Sequence, residues 1–231
     1  MEYTQKIKNK IKALGADLVG VAETGLLKDQ YLNPPDLLDP FPWAVSIGLE
    51  IPKAVLASIQ DKPTPLYKSA YQTANQILDT IAFKTALILQ RDGFDSLPIP
   101  ASQVLDQKNW LGAISHKAIA RMAGLGWQGK NLLLITPQCG SRVRLATVLT
   151  SAPLTNDTPI RNRCGSCTNC QEACPAQAIK GVGTRDHYKD REEALFLDRC
   201  AEKLVRDFVV LPEIGTEICG ICIKVCPFSK K

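Results

Sequence analysis

What this sequence lacks narrows it before any motif is read. No stretch approaches the roughly 18 consecutive apolar residues that would span a bilayer, so no membrane partner is expected. The opening "MEYTQKIKNKIKALG" has no apolar core of the kind a secretory signal carries. Its Ile7, Ile11 and Leu14 instead recur at helical spacing, with Gly15 placed to cap the end. There is no long Lys/Arg run beyond the short "SKK" at 229–231. The net charge of +5 is shared by both halves of the chain, so no basic arm announces an anionic partner. Internal repeats and low-complexity tracts are also missing. Hydrophobic residues at 45% of 231 are enough for a sizeable core, which argues against disorder.

What is present alternates in character. "DLVGVAE" reads as a short buried strand and "AVSIGLEIP" as a second, separated by the Pro- and Asp-rich loop "DQYLNPPDLLDPFPW". From about Tyr67 to Arg91 the pattern is helical, with Ile77, Ile81 and Ile88 on one face, extended by Tyr71 and Ala74. "SLPIPAS" runs extended after it. A shorter helix is expected from about Ser115 to Ala123, then two strands, "NLLLIT" and "RVRLATVLT". The mixture predicts an N-terminal α/β domain over residues 1–160. "TSAPLTNDTPIRNR" reads as a linker. Residues 161–231 then form a second domain of cysteines, short turns and one helix near "REEALFLDRCAEKLV". The fold class is α+β.

Cysteine is the informative residue. Of nine, eight lie between Cys164 and Cys226. An odd total, tight clustering and no export signal argue against a disulfide framework and for metal ligation in a reducing cytoplasm. Cys164, Cys167, Cys170 and Cys174-Pro175 give C-x2-C-x2-C-x3-C-P, the iron–sulfur run of bacterial ferredoxins. Three thiolates so close in sequence can wrap one cubane, and the fourth serves a second cluster. Cys219, Cys222 and Cys226-Pro227 repeat the motif without its first cysteine, and Cys200, nineteen residues upstream of Cys219, is the replacement. Crossed pairing gives Cys164, Cys167, Cys170 and Cys226 to one [4Fe–4S] cluster, and Cys174, Cys200, Cys219 and Cys222 to the other. Structural zinc is the competing reading, but zinc needs neither the third cysteine nor the two Cys-Pro pairs. Cys139, between two strands, reads as a small core residue. Two clusters imply one-electron chemistry, and Arg161, Arg163 and Lys224 lie beside ligands in sequence, where they would offset cluster charge or simply be solvated.

"GLGWQGKN", Gly124 to Asn131, fits two phosphate-binding patterns, G-x-G-x-x-G and G-x-x-x-x-G-K. Both need a strand before the glycines and a helix after them. Here the order is reversed, and no Asp or Glu between Gly124 and Asn156 could hold a ribose. Gly124 serves as a helix C-cap. The other glycines permit either close packing of the chain on itself or a flat cofactor against the backbone.

"AIARMAGLGWQGKNLLLITPQCGSRVRLATVLTSAPL", followed by "CGSCTNCQEACPAQAI", a displaced cysteine and "CGICIKVCP", resembles the tRNA epoxyqueuosine reductases and their shorter relatives. The resemblance covers about residues 5 to 228. It implies an N-terminal domain similar to cobalamin-processing and nitroreductase-like domains that holds a corrinoid. Beside it stands a ferredoxin-like module with two [4Fe–4S] clusters that feeds electrons in. It also implies that Gly124, Gly126, Trp127, Gly129 and Lys130 lie near the corrinoid and the nearer cluster.

The sequence departs from the family in three places. The position of its catalytic acid falls near Trp110, with Asp106 four residues away. Its Tyr-His pair appears as Tyr71-Gln72, and its C-terminal helical repeats have no counterpart among these residues. These departures argue against tRNA as the substrate. Asp106 and His116 are the remaining candidates for a proton donor, His116 also as a contact to the cofactor, while a plain helix-start histidine is the simpler reading. His187, in the polar run "TRDHYKDRE", reads as solvated. Two functions stay open: a corrinoid-dependent iron–sulfur oxidoreductase, or an electron-transfer module that reduces a protein partner and has no substrate of its own. Either needs an electron donor protein or other reductant.

Overall fold

The computed structural model describes residues 1–27 and 30–230. Asp29, first residue of the Pro- and Asp-rich loop, and Lys231, last of the "SKK" tail, lie outside the described residues. In chain order the elements are α1 (Glu2–Ala13), β1 (Leu18–Glu23), β2 (Trp43–Glu50), α2 (Lys53–Ala57), α3 (Pro65–Arg91), β3 (Ser96–Ile99), α4 (His116–Met122), β4 (Trp127–Gln128), β5 (Leu134–Ile135), β6 (Val143–Thr150), α5 (Asn169–Glu172), α6 (Leu197–Lys203) and α7 (Ile221–Lys224). The fold is mixed α/β. Among the described residues no helix is long and apolar enough to cross a membrane.

The chain divides into two compact units that do not follow a single cut in the sequence. The first comprises Met1–Leu49, Ala74–Leu125 and Arg144–Ile160; the second, Glu50–Thr73, Gly126–Val143 and Arg161–Lys231.

The first unit is built on a four-stranded sheet in the order β1-β2-β6-β3. β1 runs antiparallel to β2, from Leu18 opposite Gly48 to Glu23 opposite Trp43. β3 runs antiparallel to β6, from Ser96 opposite Thr150 to Ile99 opposite Thr147. Pro98, which cannot donate to a ladder, sits on the edge strand β3, where one side needs no partner. Val21, Val45, Ile47 and Val148 pack with Ile7 and Ile11 of α1 and Leu78, Ile81 and Leu89 of α3. The strand alternation sends Gly20 to the opposite face, where a Cβ would stand 2.3 Å from the Ala123 carbonyl, so the end of α4 rests directly on β1. Helices therefore cover the sheet on both faces, and β2 is buried almost throughout.

Four expectations from the sequence are corrected. The buried stripe of α3 runs through Ala74, Leu78, Ile81, Ala82 and Leu89, while Ile77 is 41% exposed at its margin. "NLLLIT" yields only the two residues of β5, because Leu132 adopts a positive φ of 58° and donates its N–H to the Gly129 carbonyl in a tight turn. The expected helix over "REEALFLDRCAEKLV" is interrupted. Lys180 N–H donates to the Ala194 carbonyl and Phe196 N–H to the Ala178 carbonyl, so Leu195 is bridged to Ile179 and α6 starts only at Leu197. The segment read as a linker is pinned to the first unit. Asp157 accepts from Lys8 Nζ at 2.6 Å and from Val21 N at 2.7 Å, and Ala152 and Leu154 are buried.

Candidate functional site

The eight clustered cysteines all lie in the second unit, and short local turns present them. Cys164 N–H donates to Asn162 Oδ1 at 2.9 Å, and Cys167 N–H to the Cys164 carbonyl, closing a turn that Gly165 permits with φ of 53°. Cys170 rides on the single turn α5, which lies against the single turn α7 carrying Cys222. Gly220, left-handed at φ 82°, opens α7. A Cβ there would stand 2.5 Å from Ile59 Cδ1 and 2.8 Å from the Tyr67 ring, so the position takes only glycine. Cys200 sits on α6. None of the nine cysteines forms a disulfide.

The thiols lie close enough to act on one another. Burial pushes Cys170 up to about 11, and the neighbouring Cys164, Cys226 and Cys167 push in the same direction. Cys219 is also raised to about 11, again chiefly by burial, with Cys200 and Cys174 adding to the rise and Lys203 opposing it. Cys222 is raised well above the usual thiol range by burial, then by Cys219, Cys200, Cys170 and Cys174. Cys170 thus shares its surroundings with Cys164, Cys167 and Cys226, and Cys222 with Cys174, Cys200 and Cys219. The appearance of Cys170 beside Cys222 shows that the two sets adjoin. Thiols crowded this way resist deprotonation unless an electrophile takes the thiolates, which is what an iron–sulfur cluster does. Among the described residues no three His, Cys, Asp or Glu side chains converge closely enough to hold a single metal ion. The apolar shell around the cysteines is Leu132, Ala178, Ile179, Tyr188 and Leu195.

The second half of the glycine stretch braces both cysteine motifs. Gln128 accepts Asn162 Nδ2 on its carbonyl at 2.8 Å and Tyr188 N on its Oε1 at 2.9 Å. Lys130 Nζ donates to the Cys167 carbonyl at 2.9 Å, and Asn131 Nδ2 reaches the Cys222 carbonyl at 3.5 Å. Trp127 is fully buried, edge-on to Phe228 at 4.8 Å and beneath the Arg163 guanidinium at 5.7 Å. The glycines meet their own chain: a Cβ on Gly126 would stand 2.2 Å from the Ile135 carbonyl, and one on Gly129 2.4 Å from Ile135 Cδ1. Gly124, in the first unit, closes α4. Its N–H and that of Leu125 donate to the Arg121 and Ala120 carbonyls, with φ of 69°.

The two candidate proton donors lie in the first unit, each already engaged. Asp106 accepts the Asn109 backbone N–H at 2.9 Å and Asn109 Nδ2 at 2.7 Å within a turn, and these bonds hold its carboxyl below the usual range. His116 Nε2 faces the Pro100 carbonyl at 2.9 Å, so that nitrogen carries the proton. Nδ1 then accepts from the Thr147 hydroxyl at 2.8 Å. Burial pushes His116 down to about 4. His187 pairs with Asp186 at 2.7 Å on the surface.

Sequence reasoning missed Gln128, Asn162 and Tyr188. Tyr188 sits in a polar run yet is 5% exposed, and burial, followed by Cys164 and Cys170, raises it to about 12. An aromatic inside a charged stretch was the only signal. Of the three cations flagged by adjacency, Arg163 stacks on Trp127 and Lys224 donates to the Ile59 carbonyl.

Residues 163–229 match the family described as 4Fe-4S double cluster binding domain. Curated relatives include the epoxyqueuosine reductase of Bacillus anthracis, 38% identical over 126 residues, covering 52% of this chain and 30% of that protein. The epoxyqueuosine reductase of Synechocystis sp. is 38% identical over 120 residues, covering 52% of this chain and 41% of that protein. The aligned part thus spans between 30% and 41% of the length of these relatives. Among solved structures, an epoxyqueuosine reductase superposes with a TM-score of 0.64 at 26% identity, covering 99% of this chain and 66% of that one. The catabolic reductive dehalogenase NpRdhA gives 0.74 at 20% identity, covering 96% and 32%. About half of the chain is thus similar to the epoxyqueuosine reductases, and residues 163–229 match a 4Fe-4S double cluster binding domain.

Proposed function

We propose that the protein is an iron–sulfur redox protein. Cys164, Cys167, Cys170 and Cys226 hold one [4Fe–4S] cluster, and Cys174, Cys200, Cys219 and Cys222 the other. The observation that carries this is the gathering of the eight cysteines within residues 163–229, a match to a 4Fe-4S double cluster binding domain, with Cys226 near Cys170 and both Cys200 and Cys174 near Cys222. Adjoining sets suit electrons passed singly from cluster to cluster. Likeness to epoxyqueuosine reductases and to a structure reported for B12-dependent dehalogenation supports a corrinoid as the acceptor. A bound corrinoid supplies reductive chemistry that the clusters alone do not. At Gly126 and Gly129 an added Cβ would meet the chain's own atoms, which supports a packing role for these two glycines.

One observation favours the second reading, an electron-transfer module that serves a protein partner. Asp106 is an ionised turn residue and His116 a neutral, doubly bonded one, so neither offers a proton at neutral pH. Anaerobic reconstitution tests both readings. About eight irons per chain support the cluster assignment, and zinc without iron ends it. Titration with cobalamin then separates the two: a change in the visible spectrum supports the corrinoid acceptor, and an unchanged spectrum leaves the electron-transfer module.

A further inference from the structure

Two basic side chains are buried among the described residues, Arg142 at 3% exposure and Lys130 at 6%. They are neutralised differently. Arg142 has the Glu50 carboxylate at 2.5 Å, together with the carbonyls of Ile51 and Ser229. Lys130 has no carboxylate. Its recorded polar contact is the Cys167 carbonyl at 2.9 Å. An ammonium carries three donors, and among the described residues only the Cys167 carbonyl is recorded as a polar partner, with no carboxylate beside it. A buried charge without a counter-ion is strongly unfavourable.

The missing anion is defined by what surrounds Lys130. Its one partner belongs to the Cys164, Cys167, Cys170 and Cys226 set. Beside it in the chain, Asn131 reaches the Cys222 carbonyl, and Gln128 and Asn162 tie the strand β4 to the backbone N–H of Cys164. In the same turn the buried Trp127 Nε1–H has no acceptor. A cluster bound by four thiolates is an anion, and it gains one further negative charge when it takes an electron from an external one-electron reductant. A fixed cation beside it stabilises the reduced form more than the oxidised form.

We propose that Lys130 is the buried counter-charge of the cluster held by Cys164, Cys167, Cys170 and Cys226, and that it sets the reduction potential of that cluster. The inference rests on the cluster assignment above. Three other cations near the cysteines have contacts of their own. Lys203 is paired with Asp207 at 2.5 Å, Lys224 donates to Ile59, and Arg163 is exposed over Trp127.

The test is an EPR-monitored titration with dithionite on the full, reconstituted chain. Lys130→Gln removes the charge and keeps a hydrogen-bond donor, one bond shorter in reach. At the wild-type midpoint its ratio of reduced to oxidised first cluster falls about tenfold, which for one electron is a shift of about 59 mV to more negative potential. Lys130→Arg keeps the charge and stays close to wild type. An unshifted Lys130→Gln with a full iron count overturns the proposal, as does an equal shift in Lys130→Arg, since a merely structural contact does not distinguish the two by charge. Should Lys130→Gln fail to hold the first cluster, retention in Lys130→Arg supports the counter-charge and loss in both overturns it. Absence of iron from the wild-type chain would instead remove the cluster assignment itself, a failure distinct from an unshifted potential.

Discussion

Single residues carry two predictions. Gly126 and Gly165 both stand in conspicuous motifs, but only Gly126 is closed in. An alanine Cβ there meets the Ile135 carbonyl at 2.2 Å, whereas Gly165 has nothing within 4 Å. Gly126→Ala should cost at least about 2 kcal/mol in chemical denaturation, and Gly165→Ala only the smaller strain of its positive φ. His116 gives the second. Its folded value near 4 lies below the unfolded value near 6.5, so as pH falls between them the unfolded chain takes up a proton that the folded chain refuses. The stability is fully present above about pH 6.5 and declines towards pH 4, with about 2 kcal/mol lost between pH 7 and pH 5. In His116→Gln that slope should flatten in urea unfolding followed across the same range. At this scale the sequence was legible where chemistry is local. The helix-start position of His116 and the capping role of Gly124 follow from their neighbours. That Pro100 and Thr147 would occupy both nitrogens of His116 depends on chain brought back from elsewhere, which no spacing encodes.

Among elements, α1, α3 and α4 could be read from periodicity because each buries one stripe against a sheet. α6 could not be delimited, since the backbone bonds of 194–196 to 178–180 override a strong helical pattern. Yet α6 carries Cys200, the displaced cysteine whose spacing fits no ferredoxin. Cys200→Ser should therefore leave about four irons per chain instead of about eight, measured after reconstitution. Cys139 is the internal control. It is 1% exposed, with its sulfur 3.1 Å from Thr136 Oγ1 in the turn between β5 and β6. Cys139→Ser should keep the full iron count and the wild-type visible spectrum.

At the scale of the whole molecule, the cysteine-rich segment is only part of the unit that contains it. Residues 50–73 and 126–143 belong with it, and they bring Gly220's neighbours Ile59 and Tyr67 as well as Gln128, Lys130 and Asn131. A fragment of residues 161–231 should accordingly take up less than half the iron of the full chain under the same reconstitution, while a fragment beginning at residue 50 does better. The crossed grouping of the thiols carries a consequence for manufacture. With the assignment proposed above, the ribosome delivers Cys164, Cys167, Cys170 and Cys174 well before either nest is closed, because Cys226 finishes one and Cys219 and Cys222 finish the other. The two clusters cannot be loaded in sequence as the chain emerges. Both wait for the same late segment, and a break between residues 174 and 219 would cost both clusters at once.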